Sequence, residues 1–409
     1  MELTVITLTI MAILTGLLLT SYAIPPIIRV AKHKDLLDKP DKVRKMHYRS
    51  VPNLGGVAIL MGFLISYSIW AGSLIPSYYP FLVVGLLILF SSGMKDDVMA
   101  LSARVKCLAQ AAAASIVVVG GNIRLDHFNG FLGIHDGTPE VLAVLATVFA
   151  FVIIINAYNL VDGLDGLAGS LGITSALLFG IWFLLNGFMA EAILAASLIG
   201  ALGGFLRYNR PPAQIFMGDT GSQIIGLLMA VMAFRLIGLN PQATTLQLTT
   251  PTIFAFSLMI VPMFDTFRII IIRMLCNRSP MAPDMRHLHH CMLKLGYGQR
   301  AISLLLVIAS LLIAAISYFI NPFEVHLYGF LIVALGALIA PAAWLLKRKT
   351  YTTNPGKKEI TPYPNTLREM FTCCTHGLEN GSQNGNGQTA RPEKTNYTKL
   401  EDVNDCNKD

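Results

Sequence analysis

From residue 4 to residue 346 the chain is a succession of apolar runs, most of them about as long as a bilayer core is thick, separated by short polar breaks. No other feature limits the fold so severely. Backbone N–H and C=O groups cannot go unpaired in hydrocarbon, so consecutive runs of this length must be helices. The composition agrees: 54% of residues are hydrophobic and only 13% charged, which excludes a single soluble core. The expected fold is an all-α integral membrane protein with about eleven transmembrane helices. These cover 4–28, 54–71, 79–95, 107–121, 140–158, 169–186, 188–206, 222–239, 251–272, 301–319 and 326–346.

The distribution of Lys and Arg sets an expected orientation. With the N-terminus outside, 29–53, 96–106, 159–168, 207–221, 273–300 and everything after 346 become cytoplasmic. The first of these carries Arg29, Lys32, Lys34, Lys39, Lys42, Arg44, Lys45 and Arg49, whereas the external loop 122–139 carries only Arg124. Met1-Glu2 lacks a basic n-region, so the first span reads as an anchor. Two domains are expected: a polytopic transmembrane domain, 1–346, and a polar, largely disordered cytoplasmic tail, 347–409, rich in Asn, Thr, Gly, Lys and Glu. The net charge of +7 is then mainly a topology signal, and nothing points to nucleic acid. The cysteines form no CxxC pair and read as structural, with Cys373-Cys374 open at most to acylation.

Against this background the polar breaks stand out. An Asp at bilayer depth costs about 2.5–3.5 kcal/mol on insertion scales, so acids there are functional candidates. They occur at Asp96-Asp97, in Asn156–Gly169 (NAYNLVDGLDGLAG) and at Asp219. On the expected topology these, Asn209 and the cluster Arg286-His287-Leu288-His289-His290 all fall at cytoplasmic ends of spans, where one site could gather them. Such a site suits a reaction between a soluble substrate and one dissolved in the inner leaflet; a translocation path would place ionisable groups near mid-bilayer.

The residue types suit phosphate chemistry. Carboxylate and amide oxygens bind Mg²⁺, which takes few protein ligands along with substrate phosphates. Asp219 lies between Gly218 and Gly221 where a helix begins, a setting for a diphosphate or its metal, or simply for a helix cap. Asp96-Asp97 could share a proton or be quenched by metal; equally, the pair could be a solvated helix end facing Lys95, Arg104 and Lys106. If 156–165 stays helical, Asn156, Asn159, Asp162 and Asp165 share one face, as a polar site or as helix-packing glue. Three imidazoles within four residues lack the partners of a zinc site, which favours contacts to phosphate or acid–base work.

Taken together, Asp38-Lys39-Pro40-Asp41 with Arg44-Lys45-Met46-His47, Gly55-Gly56, Asp96-Asp97, NAYNLVDGLDGLAG, FMGDTGS and SPMAPDMRHLHH at 279–290 resemble the polyprenyl-phosphate N-acetylhexosamine-1-phosphate transferases. The resemblance covers roughly 20–300, with its motifs in the right order. It implies attack by a polyprenyl phosphate on the β-phosphorus of a UDP-N-acetylhexosamine, releasing UMP and exchanging one phosphoanhydride for another. It also implies Mg²⁺, or Mn²⁺ as an alternative, held by Asn159 and Asp219. Lys106 would contact the diphosphate, and Asp96 with Asp97 would orient or deprotonate the lipid phosphate. Asn156 would meet the sugar, while Asp162, Asp165 and Asn209 would line the nucleotide side. Arg286, His287, His289 and His290 would close over the sugar phosphate, and His47 in its basic run would hold the lipid phosphate.

Arg286-His287-Leu288-His289-His290 in place of consecutive histidines, with an odd span count, resembles the bacterial branch that transfers N-acetylglucosamine 1-phosphate. The implied substrates are UDP-N-acetylglucosamine and undecaprenyl phosphate. The implied setting is the bacterial inner membrane, at the start of envelope glycans such as lipopolysaccharide or cell wall, with room for a homodimer. The tail after 350 matches nothing in the family. The rival readings are a nucleotide-sugar or cation-coupled transporter, which would expose Asp96, Asp162 or Asp219 alternately to both faces, and a non-catalytic scaffold, which would tolerate Asp219→Asn.

Overall fold

Most of the polar breaks between apolar runs end a helix, although the first helix continues through Pro25-Pro26. The structure, a computed structural model, describes residues 2–34, 37–38, 51–125, 139–275, 287–320 and 333–334. In chain order these form α1 (Glu2–His33), α2 (Gly55–Ala71), α3 (Tyr79–Val98), α4 (Ala103–Ser115, prolonged by a π-helical turn Ile116–Gly120), α5 (Glu140–Val161) and α6 (Leu167–Leu185). There follow α7 (Met189–Asn209), α8 (Gly218–Leu239), α9 (Pro251–Ser257), α10 (Ile260–Leu275), α11 (Leu288–Lys294) and α12 (Gln299–Ile320). A two-residue antiparallel ladder joins β1 (Leu37–Asp38) to β2 (Val51–Pro52), with Leu37 opposite Pro52 and Asp38 opposite Val51.

The chain is a multi-pass, all-α membrane protein. Among the described residues eight helical segments are long and apolar enough to cross a bilayer, or nine if α9 and α10 form one broken span. The expectation of about eleven also counts α3, whose last turn carries Lys95, Asp96 and Asp97, and 326–346, which lies essentially outside the described residues. One expected span differs in kind: 251–272 is not a straight helix, because α9 and α10 meet at 87°. Apolar periodicity is blind to such a break, since both halves remain hydrophobic. The tail 347–409 lies outside the described residues.

α8 is the core of the bundle. Its apolar residues run all round the helix, as expected for one that meets neighbours on every side, and 89% of its most apolar window is buried, against 22% for α1. It packs on α5, α3 and α2, while α1 lies on α7 and α7 on α6. Lipid offers no hydrophobic drive for such pairing, so close van der Waals contact must supply it. The α1–α7 contact shows how: a Cβ on Gly200 would stand 2.2 Å from the Ile13 carbonyl oxygen.

At the end of the bundle away from Asp219, charged and amide side chains are matched within the protein. Glu191 on α7 accepts both Nε (3.0 Å) and a terminal nitrogen (2.6 Å) of Arg235 on α8, and that guanidinium lies over the Tyr78 ring. Asn186 accepts from the Thr245 and Leu246 amides, Asn240 exchanges two hydrogen bonds with the Leu248 backbone, and Trp182 donates to the Leu246 carbonyl.

Candidate active site

The site is built around the first turn of α8, whose amides have no partner within the helix. The partner comes from another helix. Asp97, in the last turn of α3, accepts from the Asp219 amide (2.8 Å), the Thr220 amide (3.1 Å) and the Thr220 hydroxyl (2.6 Å), and Asn53 donates to it at 2.9 Å. Gly218, at φ +73°, makes the entry; a Cβ there would stand 2.6 Å from the Asp97 carboxylate in addition to its backbone strain. The segment before α8 is fastened as well, since Phe216 and Met217 carbonyls accept from the Gly55 and Gly56 amides and the Phe216 amide donates to the Pro52 carbonyl. The cap considered for Asp219 in the sequence is thus supplied by Asp97, which leaves the Asp219 side chain for other work.

That side chain meets Lys106 of α4. Lys106 Nζ lies 2.7 Å from an Asp219 oxygen and 2.6 Å from an Asp96 oxygen, bridging α3 and α8. The other Asp96 oxygen accepts from the Leu101 amide at 2.6 Å. Adjacent in sequence, Asp96 and Asp97 therefore do different things: one binds the lysine, the other caps α8.

α5 brings the next group. Asn159 donates to Ser222 at 2.9 Å, and Ser222 in turn donates to the Gly218 carbonyl. With its amide nitrogen engaged, the Asn159 oxygen remains to meet a ligand. One turn deeper, Asn156 donates to Gln110 of α4 at 2.6 Å. The polar stripe that a continuous helix would give stops here, because α5 ends at Val161 and α6 starts only at Leu167. Gly163 and Gly166 do not sustain a helix, and the resulting turn separates the two acids. Asp162 stays with the site: burial, reinforced by the Asp219, Asp97 and Asp165 carboxylates, raises its carboxyl to about 8. Asp165 is instead buried and accepts from the Ala213 amide at 3.0 Å. Asn209 is buried too, accepting from Gly166 and donating to the Ile215 carbonyl, both at 2.8 Å. Asp165 and Asn209 therefore stitch the 162–166 turn to the loop that precedes α8.

The histidines reach the same turn from α11. A Cβ on Gly163 would stand 2.3 Å from His289 Nε2, so a side chain at 163 would displace the ring. His289 is 1% exposed, and Nε2 has no hydrogen-bond partner among the described residues. Burial, then the neighbouring His290, lowers its pKa to about 3, so at neutral pH it is an uncharged imidazole, not a counter-charge for phosphate. The His290 ring lies 4.3 Å away, centroid to centroid. His287 is buried and turned to the protein: its Nδ1 lies 2.9 Å from Asp265 of α10. Asp265 also accepts from the Leu288 amide (2.9 Å) and from Arg268 (2.8 Å).

The structure therefore brings together Asp96, Asp97, Lys106, Asn159, Asp162 and Asp219, with His289 against the Gly163 turn, His290 beside His289 and Asn156 one turn below. His47 and Arg286 lie outside the described residues. Asp265, Gln110, Asn53 and Thr220 are additions to the set read from sequence. For Asp265 the signal was present, an acid inside the apolar run 251–272; the uncharged partners give none.

Asp96 and Asp219 share Lys106, and among the described residues Asp97 is in no ion pair. Such an excess of carboxylate calls for a cation. Among the described residues no three His, Cys, Asp or Glu side chains are placed to hold a metal by themselves. An all-oxygen pair such as Asp219 and Asn159 fits an ion that takes its remaining ligands from water and substrate.

Residues 79–237, which span α3 to most of α8, match the model of glycosyl transferase family 4. The chain is 35% identical over 285 residues, 69% of its length and 77% of the relative, to a probable undecaprenyl-phosphate N-acetylglucosaminyl 1-phosphate transferase of Bacillus subtilis. It is 31% identical over 363 residues, 82% of its length and 88% of the relative, to a decaprenyl-phosphate N-acetylglucosaminephosphotransferase of Mycobacterium tuberculosis. To the undecaprenyl-phosphate alpha-N-acetylglucosaminyl 1-phosphate transferase of Escherichia coli K12 it is 28% identical over 292 residues, 70% of its length and 77% of the relative.

Proposed function

The chain belongs to glycosyl transferase family 4, and on that premise we propose that it transfers N-acetylglucosamine 1-phosphate from UDP-N-acetylglucosamine to undecaprenyl phosphate. The products are undecaprenyl-diphosphate N-acetylglucosamine and UMP, and the lipid product would start an envelope glycan at the cytoplasmic face of a bacterial inner membrane. A lipid phosphate oxygen forms the new bond to the β-phosphorus as the bond to UMP breaks. One anhydride replaces another, so catalysis is chiefly positioning and charge neutralisation.

The observation that carries this reading is Lys106 held between Asp96 and Asp219 beside Asn159. Asp219 and Asn159 would hold Mg²⁺, which supplies charge neutralisation at the diphosphate. Lys106, released from one carboxylate, would meet the phosphates. Asp96, held by Lys106 and the Leu101 amide, would place that lysine and steer the lipid phosphate. A general base would be superfluous for a phosphate whose second pKa is near 6. Asp97 would act through the α8 cap. Asp162 would face the nucleotide, and His289 and His290 would close the site over the sugar phosphate, with His289 neutral.

The test uses purified protein with Mg²⁺, undecaprenyl phosphate and a panel of UDP-sugars, following UMP and lipid-linked sugar together. Stoichiometric UMP and lipid product with UDP-N-acetylglucosamine alone, lost in EDTA, is the expected result. Turnover with another UDP-N-acetylhexosamine would revise the sugar. Folded protein that yields neither product, yet moves label across sealed vesicles, would establish transport instead.

A further inference from the structure

A cavity of about 510 Å³ opens between α6, α7, the 210–211 segment and α12, next to the turn that carries Asp162 and Gly163. Its lining is of two kinds. Arg207, Arg210 and Arg300 supply cationic groups, and Ile173, Leu304 and Val307 belong to the membrane-spanning parts of α6 and α12. All three arginines are exposed, and among the described residues none is in an ion pair. Arg300 donates to the Pro211 carbonyl at 2.6 Å, and the Arg207 guanidinium lies 5.8 Å from the Tyr208 ring centroid. One acid, Asp165, shares the cavity, so three cations face one anion there. The Ser303 hydroxyl, also in the lining, is shielded from solvent and has no hydrogen-bond partner among the described residues.

We propose that this cavity binds the headgroup phosphate of an anionic phospholipid, its acyl chains running along Ile173, Leu304 and Val307. A basic rim on an apolar wall at a helix end is the arrangement that selects a lipid anion over a soluble one, because only the lipid satisfies both parts. The volume is that of a small-ligand site. The proposal stands on the cavity and its charges, independently of the transferase reading. It adds a consequence for that site: the bound lipid would press on the Asp165–Gly166 end of the turn that carries Asp162.

The experiment is native mass spectrometry of the full chain equilibrated with an equimolar mixture of phosphatidylglycerol and phosphatidylcholine. Wild-type protein should retain phosphatidylglycerol preferentially. The double variant R207Q/R210Q removes no side-chain hydrogen bond among the described residues and should bind it about thirtyfold more weakly, while R207K/R210K should keep most of the preference. Melting temperatures of all three should agree. Equal retention of the two lipids, or undiminished phosphatidylglycerol binding by a folded R207Q/R210Q, would overturn the proposal. Displacement of the lipid by UMP would do so too, by assigning the cavity to the nucleotide.

Discussion

The two ends of α8 hold polar groups of similar number and opposite character. At the Arg235 end, the charged and amide side chains of Glu191, Arg235, Asn186 and Asn240 each find partners within the protein. At the Asp219 end, acids outnumber the one lysine that meets them, and among the described residues neither the Asp162 carboxyl nor His289 Nε2 has a hydrogen-bond partner. Buried polarity costs stability at both ends. Only the matched end recovers that cost within the fold. The difference separates groups that hold helices together from groups kept ready for something that arrives later.

The sharpest way to break this contrast is at the unmatched end. Asp219→Asn should lower turnover by about a thousandfold without lowering the melting temperature, since the α8 cap belongs to Asp97. UMP release and a thermal melt on one preparation give both quantities, and a variant that melts early without losing turnover would make Asp219 structural. Asp265→Asn should come next. Loosening the latch on α11 should reduce kcat about a hundredfold while KM for the nucleotide sugar moves far less; a large KM change with kcat intact would place Asp265 in ground-state binding instead.

Gly163→Ala should cost about tenfold in kcat, because its methyl group would displace the His289 ring. The informative control is Gly163→Ala combined with His289→Ala: if the ring is the obstacle, adding the alanine to His289→Ala should cost little more. The smallest effect on turnover belongs to the matched end. Glu191→Gln should destabilise the fold by about 2 kcal/mol, read as a lower melting temperature, with activity of the folded fraction within about twofold of the parent. A Glu191→Gln enzyme that is stable but slow would erase the distinction between the ends.

The helical class and nearly every helix were legible because lipid permits few alternatives to a helix in a long apolar run. The bend between α9 and α10 was not, since hydrophobicity reports burial and not direction. Within the site, the acids were visible as costly interruptions. Their division of labour was not: Asp96 and Asp97 are neighbours in sequence, and only the position of α8 decides which one caps and which one binds Lys106. Asp165 and Asn209 show the same limit from the other side. The resemblance places them on the nucleotide side, and their contacts to Ala213, Gly166 and Ile215, which tie two loops together, depend on the turn between Val161 and Leu167 and have no signal in the sequence.

Lys106 is shared by two acids on separate helices, and this has a thermodynamic corollary. An anion that draws the lysine toward itself leaves Asp96 and Asp219 facing each other with less compensation, and their demand for a cation rises. A cation that takes over Asp219 frees the lysine for an anion. Each event therefore favours the other by the same factor. A single amine in a three-body contact makes the affinities for positive and negative ligands reciprocal, and the pair should enter more readily together than either does alone.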